Sequence, residues 1–161
     1  MELLPLLEKN NCIKRGEFKL KSGEISKFYF DMKNLISNPV LLSEIGDRLY
    51  KLLGDFDIIC GIPYGGLPIA CYMSTKYNKP MIYFRDKQKT YGTKKLIEEE
   101  YKKTDRCIII DDVITTGGSI REAIDILSSE VTIVDIAVVV DRSKIDTNIE
   151  LKSLININNL D

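Results

Sequence analysis

The chain contains no histidine. That one absence removes Ser-His-Asp and Cys-His nucleophiles, the His-Glu-x-x-His metal helix and most zinc chemistry. Any catalysis must therefore run on lysine, arginine, carboxylate or a cofactor. No apolar run reaches the ~18 residues of a membrane span, and the N-terminus opens Met-Glu without a basic leader. The expectation is a soluble, unprocessed, cytoplasmic protein with no membrane partner. Cys12, Cys60, Cys71 and Cys107 form no C-x-x-C pair, so they read as reduced core thiols. Two familiar phosphate loops are also missing: no Gly-Lys-Ser/Thr closes a P-loop, and there is no G-x-G-x-x-G. A net charge of -1 offers no general attraction for nucleic acid or an anionic membrane surface.

What is present is concentrated in one stretch. Ile108-Ile109-Ile110 reads as a strand buried on both faces, and Asp111-Asp112 are expected to end it. After Val113-Ile114 comes Thr115-Thr116-Gly117-Gly118-Ser119, and then Ile120, Ala123, Ile124 and Leu127 recur at helical spacing. Glycines admit positive φ and let a ligand approach the main chain. Hydroxyls, loop N–H groups and the positive end of a helix dipole together suit one phosphate. Carboxylates repel that phosphate but accept hydrogen bonds from sugar hydroxyls beside it. The joint reading is a ribose 5-phosphate pocket at the carboxyl end of a strand, where open α/β sheets bind ligands.

With 161 residues, 44% hydrophobic and 29% charged, the chain has the size and composition of one globular domain. Residues 2–11 suit a short amphipathic helix around Pro5. Residues 16–23 and 28–31 look like a hairpin flap around a Ser-Gly turn. Asn38-Pro39 starts a helix whose apolar face carries Leu41, Leu42, Ile45, Leu49, Leu52 and Leu53, and Gly54 ends it. Strands at 57–60, 81–84 and 132–140 then alternate with a helix at 66–77, which implies an α/β doubly wound parallel sheet. The expected division is helix plus flap (1–35), core sheet (36–145) and a tail (146–161) that fits either helix or strand.

Two further segments bear on the site. Gly61-Ile62-Pro63-Tyr64-Gly65-Gly66 is a second glycine-rich strand-to-helix turn, which by itself signals only a tight connection. Beside the first loop it becomes a second anion cradle, sized for a diphosphate. Residues 85–95 hold five cations and one acid with almost nothing to anchor them in a core. Such a composition fits a mobile cationic lid over a polyphosphate.

The segment 108–119 resembles the phosphoribosyl-diphosphate signature of the type I phosphoribosyltransferases. Leu20-Lys21-Ser22-Gly23, the aromatic run 28–30, Pro63-Tyr64, the series Arg85, Lys89, Tyr91-Gly92-Thr93-Lys94, the paired acids and Arg142 follow in the order found in orotate phosphoribosyltransferases. The likeness runs from end to end, most of all to the domain that animals fuse to a decarboxylase, and the expectation is of a chain without that second domain. The resemblance implies that Lys21, Tyr29, Phe30, Thr115 and Arg142 face orotate. It implies that Asp111, Asp112, Val113, Ile114, Thr115, Thr116, Gly117, Gly118 and Ser119 hold the ribose 5-phosphate part of phosphoribosyl diphosphate, with Tyr64 and Gly65 along the diphosphate. Lys21, Arg85, Lys89 and Tyr91 complete the donor contacts, the last three reaching a neighbouring subunit's site in a homodimer. Arg85, Lys89 and Asp112 are the catalytic candidates. Mg²⁺ is carried by the diphosphate rather than by protein side chains. Three positions depart from the family: Asp86 follows the lid arginine where lysine is usual, Gly65 stands where bacterial members have lysine, and Lys27 replaces a flap proline. The implied reaction forms orotidine 5′-monophosphate and pyrophosphate in pyrimidine nucleotide synthesis. Two alternatives are transfer to another base and a phosphoribosyl-diphosphate-binding regulator without catalysis.

Overall fold

Runs of isoleucine and valine without polar alternation belong in strands covered on both faces, and the sheet meets that expectation. The computed structural model describes residues 2–19, 23, 25–84, 97–98, 100–143 and 150–157. In chain order these form α1 (Leu3–Lys9), the strands β1 (Ile13–Lys19) and β2 (Ile25–Phe30), a 3-10 turn (Met32–Leu35), α2 (Pro39–Leu52), β3 (Ile58–Gly61), α3 (Gly66–Tyr77), β4 (Met81–Phe84), β5 (Ile97–Glu98), β6 (Arg106–Ile114), α4 (Gly118–Leu127), β7 (Thr132–Asp141) and β8 (Lys152–Asn156).

Six strands make the main sheet in the order β5-β4-β3-β6-β7-β8. All neighbours run parallel except β5, which pairs antiparallel with β4. The pleat sends successive β6 residues to opposite faces. Ile108 and Ile110 pack with Leu41, Ile45 and Leu49 of α2 and Ile69 and Met73 of α3, whereas Cys107 and Ile109 pack with Ile120, Ala123 and Leu127 of α4. Helices thus cover both faces, as the doubly wound expectation required. Each isoleucine of the 108–110 run is completely buried and contributes roughly 1.5–3 kcal/mol by leaving water.

Helix α2 begins where Asn38 accepts a hydrogen bond from Leu41 N–H at 3.0 Å and Pro39 takes the first turn. Asp47 then ties α2 to α3, accepting from the Tyr72 and Tyr77 hydroxyls at 2.8 Å each and from Lys76. At the N-terminal edge of the sheet, Arg106 grips Asp57 through Nε at 3.0 Å and Nη2 at 2.9 Å. That paired donation holds the Asp57 carboxyl well below the usual carboxylate range. The opposite edge carries no such clamp between β3 and β6 among the described residues, and there the two glycine loops lie.

Several expectations are corrected. The acids do not end β6: pairing with β7 continues through Asp111, Val113 and Ile114, opposite Val138, Val140 and Asp141, because backbone ladders take any side chain that finds space. Leu52 is exposed rather than part of the α2 core face, as the final residue of the helix. Cys71 is exposed on α3, whereas the other three cysteines are buried free thiols. The undecided tail supplies strand β8, and the two-residue strand β5 had no signal in the sequence. The hairpin begins earlier than expected, at Ile13, with an irregular register between Arg15 and Phe18. Its turn lies outside the described residues except for Gly23.

Candidate active site

Strands β3 and β6 are neighbours with Gly61 opposite Ile110, so the loops that follow them, 62–65 and 115–117, emerge side by side. Gly117 adopts φ 74° and caps α4 with no side-chain hydrogen bond. An L side chain resists that φ, and the uncapped first turn leaves helix N–H groups directed at the loop. Residues 113–120 with Asp111 line a half-open pocket of about 130 Å³, roughly the liquid volume of four waters and suited to a phosphate-sized anion. Every expected residue of the 111–119 set lines it except Asp112. Ile120, whose first-turn position gave no chemical signal, completes the wall.

The two acids divide because strand neighbours face opposite ways. Asp111 is 7% exposed, on the α4 side of the sheet edge, and its Oδ1 accepts the Asp112 N–H at 2.9 Å. Burial first, and the Asp112 charge second, push its pKa up to about 8. Asp112 turns toward the other loop, with its Oδ1 accepting Val113 N–H at 2.7 Å. A Cβ built on Gly65 would fall on the Asp112 carboxyl group. Glycine at 65 is therefore what lets a carboxylate of one loop lie flush against the backbone of the other. Tyr64 beside it is 76% exposed, free to meet a ligand in the gap.

At the end of β7, Arg142 N–H donates to Ile114 O at 2.9 Å, which fixes the residue next to the 115–117 loop. Its guanidinium lies over the Phe30 ring, 4.9 Å from the centroid, joining the hairpin to the sheet edge. Asp141 does not pair with it. That carboxylate accepts instead from Ser143 N–H at 2.8 Å, the Ser143 hydroxyl at 2.6 Å and Asn156 Nδ2 at 3.1 Å. Tyr29, the neighbour of Phe30, points to the other face of the hairpin and packs near Phe18 at 5.5 Å. Of the expected residues, Thr115, Phe30 and Arg142 are thus gathered at one edge. Lys21, Arg85, Asp86, Lys89 and Tyr91 lie outside the described residues.

Comparison with known proteins agrees with this geometry. The phosphoribosyl transferase domain model matches residues 31–154. The orotate phosphoribosyltransferase of Methanocaldococcus jannaschii is 41% identical over 143 residues, 88% of this chain and 81% of that protein. The chain belongs to the orotate phosphoribosyltransferase family. The bovine uridine 5′-monophosphate synthase is a further relative, 38% identical over 83% of this chain, which corresponds to 29% of the bovine protein. Among solved structures, the Aeropyrum pernix orotate phosphoribosyltransferase superposes with a TM-score of 0.83 and 30% identity, covering 98% of this chain and 95% of that one.

Within this member of the orotate phosphoribosyltransferases, one residue near the loop escaped the sequence reading. Arg121, in the first turn of α4, donates from Nη2 to the Thr116 carbonyl. A cation at a helix N-terminus opposes the helix dipole, and that conflict was a legible signal.

Proposed function

We propose that this chain transfers the 5-phosphoribosyl group of phosphoribosyl diphosphate to orotate, giving orotidine 5′-monophosphate and pyrophosphate. One observation carries the reading: an anion loop and an acceptor cation stand at the ends of adjacent strands, joined by the Arg142 to Ile114 hydrogen bond at 2.9 Å. In this reading the 5′-phosphate occupies the 115–119 loop, bound by hydroxyls, N–H groups and the α4 N-terminus. Asp111 and Asp112 accept hydrogen bonds from the ribose hydroxyls, and Tyr64 and Gly65 line the diphosphate. Lys21, Arg85, Lys89 and Tyr91 close over it, with the lid residues coming from the second subunit of a cytoplasmic homodimer.

The metal fits the same arrangement. Among the described residues no cluster of three or more His, Cys, Asp or Glu side chains could cage an ion. Mg²⁺ needs no such cage, because it keeps several waters and binds largely through substrate phosphates. It would be held through the diphosphate beside Tyr64 and Gly65, where it offsets charge on the leaving group.

In the transfer, the orotate ring nitrogen supplies the electron pair to the anomeric carbon. The carbon–oxygen bond breaks, and its pair departs with pyrophosphate. The acceptor arrives as a carboxylate anion whose acidic ring N–H releases its proton to water or to the departing pyrophosphate as the carbon–nitrogen bond forms, so a site without histidine suffices. Arg85 and Lys89 stabilise the departing charge, and the closed lid keeps water from the sugar cation. Arg142 reads the acceptor carboxylate. Burial disfavours its charged form, a deficit that a bound carboxylate offsets. A charge pair at ~4 Å and an effective dielectric near 20 is worth about 4 kcal/mol before desolvation, enough to set orotate far above uracil.

The test is kcat/KM for orotate and for uracil in the wild type and in Arg142→Ala. The expected result is a loss for orotate of two orders of magnitude with little change for uracil. Equal losses would mean that Arg142 serves the donor or the fold.

A further inference from the structure

We propose that Arg121 is a positioning residue that orients the peptide between Thr116 and Gly117, so that the Gly117 N–H faces the phosphate. The inference rests on the reading of 115–119 as the phosphate loop. Arg121 is exposed and is not among the residues lining the cavity, yet its guanidinium donates to the Thr116 carbonyl. A trans peptide is planar, and its carbonyl and N–H point in opposite directions. Drawing the Thr116 oxygen outward to Arg121 therefore turns the Gly117 N–H inward, toward the cavity that Gly117 lines.

The peptide needs such a hold because of its second residue. Gly117 sits at φ 74°, and glycine crosses between positive and negative φ with little steric cost. A flip of this peptide would aim a carbonyl oxygen at the anion and remove a donor. The backbone N–H of Arg121 also donates to Gly117 O at 2.9 Å, so the residue holds carbonyls on both sides of the glycine and spans the loop-to-helix junction. Its cost is a cation placed against the helix dipole, and the hydrogen bond to a carbonyl from a charged donor offsets that cost.

The prediction separates from a general charge effect. Arg121→Met removes donor and charge, whereas Arg121→Lys keeps both in reduced form. In the wild type, inorganic phosphate should shift the Gly117 amide proton downfield in a ¹H–¹⁵N spectrum. In Arg121→Met that shift should be lost, with KM for phosphoribosyl diphosphate raised about tenfold and KM for orotate unchanged. Arg121→Lys should recover most of both. Should Arg121→Met fail to fold, Arg121→Ala, which likewise has no donor, carries the same expectation for KM and for the Gly117 shift. An undiminished Gly117 shift in Arg121→Met would overturn the proposal even if KM rose, since charge alone would then explain the kinetics. No Gly117 response to phosphate in an active wild type would instead overturn the phosphate-loop reading beneath it.

Discussion

Replacing Gly65 with alanine puts a methyl group where the Asp112 carboxyl group sits. The backbone is no obstacle, since Gly65 has φ -68° and ψ -36°, open to any L residue. Asp112 must swing away and give up its hydrogen bond from Val113 N–H at 2.7 Å, or the two loops must part. A hydrogen bond to a charged group is worth roughly 1.5–3 kcal/mol. Against this, alanine for glycine in compatible backbone stabilises by about 0.4–1 kcal/mol through the unfolded chain. The net expected cost is about 1–2 kcal/mol. In an Asp112→Ala background the obstruction is gone and only the gain remains, so the same substitution should stabilise. Urea unfolding of the four proteins in this double-mutant cycle gives the coupling directly, expected at about 1.5–3 kcal/mol. If Gly65→Ala costs the same in both backgrounds to within about 0.5 kcal/mol, the two loops do not meet through these residues.

Two further expectations concern the acids and the lid. Because Asp111 is raised to about 8 by burial and by Asp112, the folded chain keeps a proton that the unfolded carboxyl releases near pH 3.9; this contribution is whole below that pH and is lost as pH rises toward 8. Asp111→Asn, a mimic of the neutral acid, should match the wild-type Tm at pH 4 and exceed it by a margin that widens as pH rises toward 8, and parallel Tm curves would show that Asp111 is not buried as an acid. Asp112→Asn and Lys89→Ala should each lower turnover at least tenfold. Mixing the two under conditions that exchange subunits should restore activity, while no recovery with exchange confirmed would exclude a lid shared across a dimer.

The lining of the candidate pocket was legible because it is local. Strand, acids, hydroxyls and glycines follow one another within a dozen positions, and α3 and β4 occupy the expected residues 66–77 and 81–84. What the sequence withheld depends on packing between distant residues. The run of β6 through its acids is set by β7, and β8 is a strand because Lys152, Ser153, Ile155 and Asn156 pair with the β7 edge. Arg142 and Phe30 each stand out in the sequence, but their contact joins positions more than a hundred residues apart. The Gly65–Asp112 approach belongs to two loops, neither of which specifies it alone.

The central claim is that this sheet edge joins a phosphoribosyl group to an anionic pyrimidine. Its most direct test is to incubate the protein with phosphoribosyl diphosphate, Mg²⁺ and one base at a time, following base consumption by absorbance. The account predicts that orotate is consumed with release of pyrophosphate, while uracil, adenine, guanine and hypoxanthine are left essentially unchanged. Consumption of a purine, or of uracil at a rate matching orotate, would contradict it.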